Sequence, residues 1–264
     1  MSNQSIAEQS EQQAQAFVRK NAEILEMIAT GQSASDIYNA IALMYEARHQ
    51  GLRCSLLELK GDKLKHGGAP NLPKEYCDAV NGLQVGPNVG SCGASTYTGK
   101  RVLVENIETD PKWAEIKQAA LPHGMRCCWS EPIKDSNGKV LGAFGMYYNH
   151  PALPNEDELS DLKSAGRLAG IIMERDQREI DLRQNEKKYR RLSENSPAIV
   201  FQFKMSSDGA FSFPYINDAV KSIMGIAAKD IMEDSTGLLD MVHPEDQTLF
   251  LEGIQKSAES LEPY

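Results

Sequence analysis

Residues 86–148 read GPNVGSCGASTYTGKRVLVENIETDPKWAEIKQAALPHGMRCCWSEPIKDSNGKVLGAFGMYY. The Gly86-Pro87-Asn88 and Gly90 turn leads into a short helix, and Arg101 to Val104 follows as a β-branched strand. Asp110 is a good N-cap with Pro111 at the first helical position, which predicts a helix ending near Gly124. Two apolar strands, 126–133 and 139–148, then flank Asp135-Ser136-Asn137-Gly138. Asn-Gly between apolar runs is a strong hairpin signal. By themselves these elements say only that the chain mixes helices and strands.

Upstream, Phe17, Ile24, Leu25 and Ile28 recur at helical spacing over residues 12–30, after a polar, Gln/Ser-rich lead-in at 1–11 expected to be disordered. Gly31 closes that helix. Ser33-Ala34-Ser35-Asp36 has the form of a capping box for a second helix to about His49, with Ile37, Ile41, Leu43 and Met44 as its apolar set. Arg53 to Leu59 reads as a strand, Lys60-Gly61-Asp62 as a turn and 63–66 as the return. Pro73 can open a helix to about Val80.

Downstream, Asn155 and Glu158 frame a second capping box. The helix they open should run to Asn195-Ser196-Pro197, roughly 60 Å at 1.5 Å per residue. Leu159, Leu162, Gly166, Ala169 and Met173 recur along it in steps of three and four, the spacing of a helix-pairing seam. After Pro197 a new pattern starts: a strand at Ile199 to Phe203, a turn at Ser207-Asp208-Gly209, and a strand at Phe211 to Ile216. Short helices at 217–224 and 228–233 follow, and a last one is opened by His243-Pro244-Glu245-Asp246.

The run from Gly86 to Tyr148 strongly resembles the C-terminal two-thirds of a bacterial GAF domain. The tail resembles the start of a PAS domain, through Ser196-Pro197-Ala198-Ile199-Val200-Phe201, Asp208-Gly209, Tyr215-Ile216-Asn217 and His243-Pro244-Glu245-Asp246. The resemblance implies a lead-in (1–11), a GAF sensor domain (12–173), a connecting signalling helix (174–195) and an incomplete PAS-like α+β domain (196–264). Only two of the five PAS strands precede Tyr264, so the chain reads as a fragment of a longer protein. The families imply an α+β fold, with an antiparallel sheet flanked by helices in each module, and a cytoplasmic sensory input region that binds a small ligand or senses redox state. They also imply homodimerisation through the helix and relay to an output domain in the same chain, a histidine kinase or a cyclic-di-GMP synthase or hydrolase.

Composition narrows the partners. The net charge is −9 and resides in the last segment, where residues 198–264 hold 4 Lys/Arg against 11 Asp/Glu. No basic stripe is available for phosphates, which argues against nucleic acid. No run reaches membrane-span length, so direct membrane contact is not expected. Five cysteines without CxxC spacing argue against a disulfide framework or a structural zinc.

Five residues are candidates for the pocket: Cys92, Trp113, Cys128, Trp129 and Glu131. Cys92, in Gly90-Ser91-Cys92-Gly93 at a helix entrance, is either a reactive or ligand-touching thiol or a small packing residue. Free-methionine-sulfoxide reductases are GAF enzymes with a similar cysteine turn. Their later cysteine pattern before Ser-Glu is not matched by Cys127-Cys128-Trp129-Ser130-Glu131. Such an enzyme, like a ligand-free dimerisation platform, is an alternative reading; the segment itself is expected to be non-catalytic. Cys127 and Cys128 point to opposite faces of their strand, one toward the pocket and one toward the helices. Trp113 and Trp129 either frame a planar or apolar ligand or fill the core. Glu131 belongs at the pocket rim or on a loop amide. The absence of a Cys-His pair argues against a bilin, and the lone turn histidine, His123, against haem. The cyclic-nucleotide signature Asn-Lys-Phe-Asp-Glu is missing. The ligand is left open.

Overall fold

The computed structural model describes residues 3–206, 211–234 and 242–260. The chain divides into two compact units, Met1–Glu179 and Ile180–Tyr264.

In the first unit, α1 (Asn3–Ala29) is followed by α2 (Ala34–Arg48), β1 (Arg53–Lys60), β2 (Lys63–Gly68), α3 (Lys74–Val80) and α4 (Gly90–Thr98). Then come β3 (Val102–Val104), a 3-10 turn (Pro111–Trp113), α5 (Lys117–Ala120), a second 3-10 turn (Leu121–His123), β4 (Cys127–Lys134) and β5 (Val140–Tyr148). Helix α6 (Glu156–Glu194) leaves this unit and enters the next. The five strands form one antiparallel sheet in the order β2-β1-β5-β4-β3.

Local chemistry explains most boundaries. Ser33 Oγ accepts from the Asp36 amide, and Asp36 Oδ2 accepts from Ser33 Oγ at 2.6 Å. Asn155 and Glu158 make the reciprocal pair, with Asn155 N–Glu158 Oε2 and Glu158 N–Asn155 Oδ1 both 2.9 Å. Each box satisfies amide donors that a helix start leaves open. Between β4 and β5, Gly138 adopts φ +84°, a turn conformation that other residues resist.

Two differences from the sequence reading stand out. Helix α1 begins at Asn3 rather than near residue 12, in a segment of good helix formers. Asp110 does cap its turn, accepting from the Lys112 amide at 2.8 Å, but the helix expected to reach Gly124 is broken into two 3-10 turns and the four-residue α5. Pro122 contributes to the break, since it cannot donate to a continuing helix.

The sheet is buried on both faces. One face, carrying Cys54, Leu56, Cys127, Trp129, Ile133, Phe144, Met146 and Tyr148, packs against α1, α2 and α6. The other carries Leu57, Cys128, Ala143 and Tyr147 and packs against α3, α4 and the segment around Trp113. Leu162, Ala169 and Met173 of α6 belong to the first cluster, Gly166 is buried, and Leu159 is half-buried. The stripe read as a pairing seam is therefore this unit's own core, a correction to that reading. Small residues let the helix ride close on β4. A Cβ at Gly170 would collide with the Lys134 carbonyl oxygen. At the start of α6, buried Asp161 accepts from Arg48 Nε at 2.6 Å and pairs with His49 Nε2 at 2.7 Å, tying α6 to the end of α2.

In the second unit, β6 (Phe201–Met205) and β7 (Phe211–Ile216) form a two-stranded antiparallel sheet. Helices α7 (Ala219–Met224) and α8 (Ala228–Glu233) follow, and then a helix at Pro244–Ser260. Ile216, Val220, Ala228 and Ile231 make its small core. Asn217 closes the strand pair, donating to the Ser193 and Ala198 carbonyls and accepting from the Val200 amide. The expected turn at Ser207-Asp208-Gly209 lies outside the described residues, and β6 starts at Phe201 rather than Ile199.

Candidate functional site

The site grows from the first turn of α4. Gly90 opens that helix at φ +62°, and a Cβ there would meet Ile116 Cδ1 at 2.8 Å, so only glycine lets the 113–116 segment close over the turn. Trp113 Nε1 donates to Ser91 Oγ at 3.1 Å, and Ser91 Oγ donates to the Cys128 carbonyl at 2.9 Å. The 3-10 segment, α4 and β4 are thereby fastened at one point.

A cavity of about 30 Å³ lies beside this junction, between the sheet, α3, α4 and the Trp113 segment. Its walls are mainly apolar, Leu57, Leu64, Val80 and Ile116 among them, and its floor is polar, with Cys92 and Tyr147. Metabolite pockets run to several hundred Å³, so this space admits a molecule about the size of water unless the walls part.

The polar floor centres on the Tyr147 hydroxyl. It lies 3.3 Å from Ser55 Oγ, 3.4 Å from Tyr76 Oη and 3.7 Å from Cys92 Sγ. Gly145 makes room for the group: a Cβ there would stand 2.9 Å from Cys92 Sγ and 3.0 Å from Tyr147 Oη. Burial, and then the neighbouring Cys128 and Cys92, push both tyrosines well above the ordinary phenol range, so they stay protonated donors. The Cys92 thiol is held below its ordinary range by the Cys128 thiol, which outweighs burial, with help from Ser130 and Tyr147. Cys128 is pushed well above its range, first by burial and then by Cys92. The Ser95 and Ser130 hydroxyls are fully buried and have no hydrogen-bond partner.

The candidates thus separate. Cys92 and Trp113 line the cavity, and Cys128 lies behind it in the same cluster. Trp129 and Glu131 do not join them, a correction to their placement at the pocket. Trp129 shares the helix-side cluster with Cys127 and donates from Nε1 to the Ala152 carbonyl at 2.9 Å. Glu131 pairs with Arg101 and touches Gly166 of α6. Alternation along β4 dictates this, because 127, 129, 131 and 133 share one face and 128 and 130 the other. His123 ends a 3-10 turn, where its carbonyl accepts from Arg53. Ser55, Tyr76 and Tyr147 carry no motif in the sequence, and Ser91 and Ser130 stand out there only as neighbours of Cys92 and Glu131. The only signal was register, since Cys128 and Tyr147 are direct cross-strand partners. Among the described residues no group of three or more His, Cys, Asp or Glu can hold a metal, and no helix is long and apolar enough to cross a membrane.

Comparison with known proteins fits this architecture. The chain is 33% identical over 222 residues to the methyl sulfide methyltransferase-associated sensor of Methanosarcina acetivorans, matching 83% of this chain but spanning only 22% of that protein. The GAF domain of a Coxiella burnetii phosphoenolpyruvate-protein phosphotransferase superposes with a TM-score of 0.52 at 11% identity, covering 63% of this chain and 97% of that one. The corresponding Acinetobacter GAF domain gives 0.49 at 15% identity, over 69% and 99%. A family model described as GAF domain matches residues 34–174, so the chain belongs to the GAF domain family.

Proposed function

We propose that this chain is the sensory input region of a signal-transduction protein. A signal of few atoms, or a redox event, acts at the cavity floor formed by Cys92 and Tyr147, with Cys128 behind it. Helix α6 carries the change toward the second unit, which reads as the start of a PAS domain, and on to a histidine kinase or cyclic-di-GMP output. The similarity to a sensor in Methanosarcina acetivorans supports the sensory role.

The observation that carries the reading is the double duty of β4. Cys128 and Ser130 face the cavity side, while Cys127, Trp129, Glu131 and Ile133 lie under the helices. Close packing of Gly166 and Gly170 against Glu131 and Lys134 leaves no slack, so a displacement of β4 moves α6. The signal must bind two arrangements of α6 unequally to shift them. Beyond the sheet, Leu182, Tyr189 and Leu192 are exposed on α6, and we assign pairing of two copies to this portion rather than to the buried stripe.

The test is amide exchange along α6 in the whole chain, with and without a candidate signal that raises its melting temperature. Exchange near 166–180 should change. Gln184→Pro, in the exposed part of the helix, should leave that change intact and abolish output in a longer protein. A stabilising signal that leaves α6 exchange untouched would refute the relay.

A further inference from the structure

We propose that Cys92 and Cys128 form a two-electron thiol–disulfide sensor of hydroperoxides, with Cys92 the attacking sulfur and Cys128 the resolving one. This deepens the sensory reading above and rests on it.

Three independent features converge. The first is placement. The Ser91 hydroxyl bonds to the Cys128 carbonyl, so the turn that carries Cys92 is seated directly on Cys128. Both thiols occupy one buried cluster, and Tyr147 bridges them: it is the cross-strand partner of Cys128 and touches Cys92 Sγ. The second is access. Cys92 lines the cavity of about 30 Å³, a space matched to hydrogen peroxide and too small for a metabolite. The third is an orphan donor. The Ser130 hydroxyl, two residues along β4 from Cys128 and on the same face, is fully buried without a partner. Beside a thiolate it gains an acceptor, and the Tyr147 hydroxyl gains the same one. Access assigns the order of the two sulfurs: Cys92 lines the cavity and meets the peroxide first, whereas Cys128 lies behind it and is fully buried.

The chemistry balances with peroxide as the oxidant. The Cys92 thiolate attacks one peroxide oxygen, the O–O bond breaks, and hydroxide leaves and is protonated to water. Cys92 is then a sulfenic acid. The Cys128 sulfur attacks Cys92 Sγ, the S–O bond breaks, and the departing hydroxide takes the Cys128 proton as a second water. Two thiols have lost two electrons to one peroxide, and an S–S bond joins α4 to β4. Drawing the two sulfurs to bonding distance pulls α4 onto the strand that also supports α6.

The experiment treats the full chain with one equivalent of hydrogen peroxide, counts thiols after denaturation and maps the linked peptides. Two of the five thiols should disappear, with Cys92 joined to Cys128. Cys128→Ser should stop at a Cys92 sulfenic acid captured by a dimedone-type reagent, and Cys92→Ser should leave Cys128 unoxidised. Ser130→Ala should slow the first step about tenfold, the equivalent of one hydrogen bond to a charged group. An unchanged thiol count, or oxidation confined to Cys77, the half-buried thiol, overturns the proposal. If Cys92→Ser does not fold, capture in Cys128→Ser decides the matter. A disulfide that forms without changing α6 exchange upholds the chemistry and refutes the relay. No disulfide, with α6 answering another signal, does the reverse.

Discussion

Gly166 of α6 stands against Glu131 of β4, and a Cβ on Gly166 would meet Glu131 Cγ at 2.8 Å. One turn on, Gly170 faces the Lys134 backbone carbonyl still more closely. The two contacts differ in what can yield. A carboxylate side chain can rotate, although Arg101 restrains it, whereas a strand carbonyl cannot. Alanine also favours the helix by up to about 1 kcal/mol over glycine. Gly166→Ala should therefore be near neutral, and Gly170→Ala should destabilise by about 1–3 kcal/mol through overpacking. Urea midpoints of the two variants check this, and the opposite ranking would contradict the packing described.

Asp161 joins α6 to both Arg48 and His49. Asp161→Asn keeps the shape and removes the charge, and should lower stability by about 1–3 kcal/mol, the range for a bond to a charged group. Arg48 is 37% exposed, so its share is the smaller one. A double-mutant cycle with His49→Ala should return a coupling energy of more than about 0.5 kcal/mol. Additive losses would show that the contact is energetically idle.

His66 gives the fold a pH dependence. Its Nδ1 meets Asn81 Oδ1 at 3.1 Å, and its Nε2 is buried without a partner. Burial lowers its pKa below the ordinary 6.5. The unfolded chain then binds a proton near pH 6.5 that the folded chain refuses. Stability from this group is complete above that pH and is lost as pH falls through it toward the lower folded value, at a limiting slope of about 1.4 kcal/mol per pH unit. Unfolding curves of the wild type and His66→Gln at pH 7.5 and about 5.5 test it. The variant should lose less on acidification, and an equal loss would assign the effect elsewhere.

Gly145→Ala places a methyl group among Cys92, Ser55 and Tyr147. The polar floor must spread, with a loss of about 1–3 kcal/mol. Any molecule that stabilises the wild type through this cavity should lose most of its melting-temperature shift in the variant, since binding to the native state is what raises it. A retained shift would place that molecule's site elsewhere.

Much of the fold could be read from short-range chemistry. The Ser33–Asp36 and Asn155–Glu158 boxes, the Asn137-Gly138 turn and the Asp110 cap are each decided by groups a few residues apart, so the sequence alone determined them. The faces of β4 were not legible. A central strand buried on both sides shows no polar alternation, so nothing local says which face of Cys127-Cys128-Trp129-Ser130-Glu131 looks at the cavity. Register, which sets Cys128 opposite Tyr147, held the answer, but the irregularity at Ile133/Lys134 shifts the hairpin pairing and hides it from a count along the sequence. Likewise, Leu162, Gly166, Ala169 and Met173 have a spacing that suits a subunit seam and a sheet equally well. Only the tertiary structure, by bringing β4 beneath α6, made that stripe core and turned Trp129 and Glu131 away from Cys92.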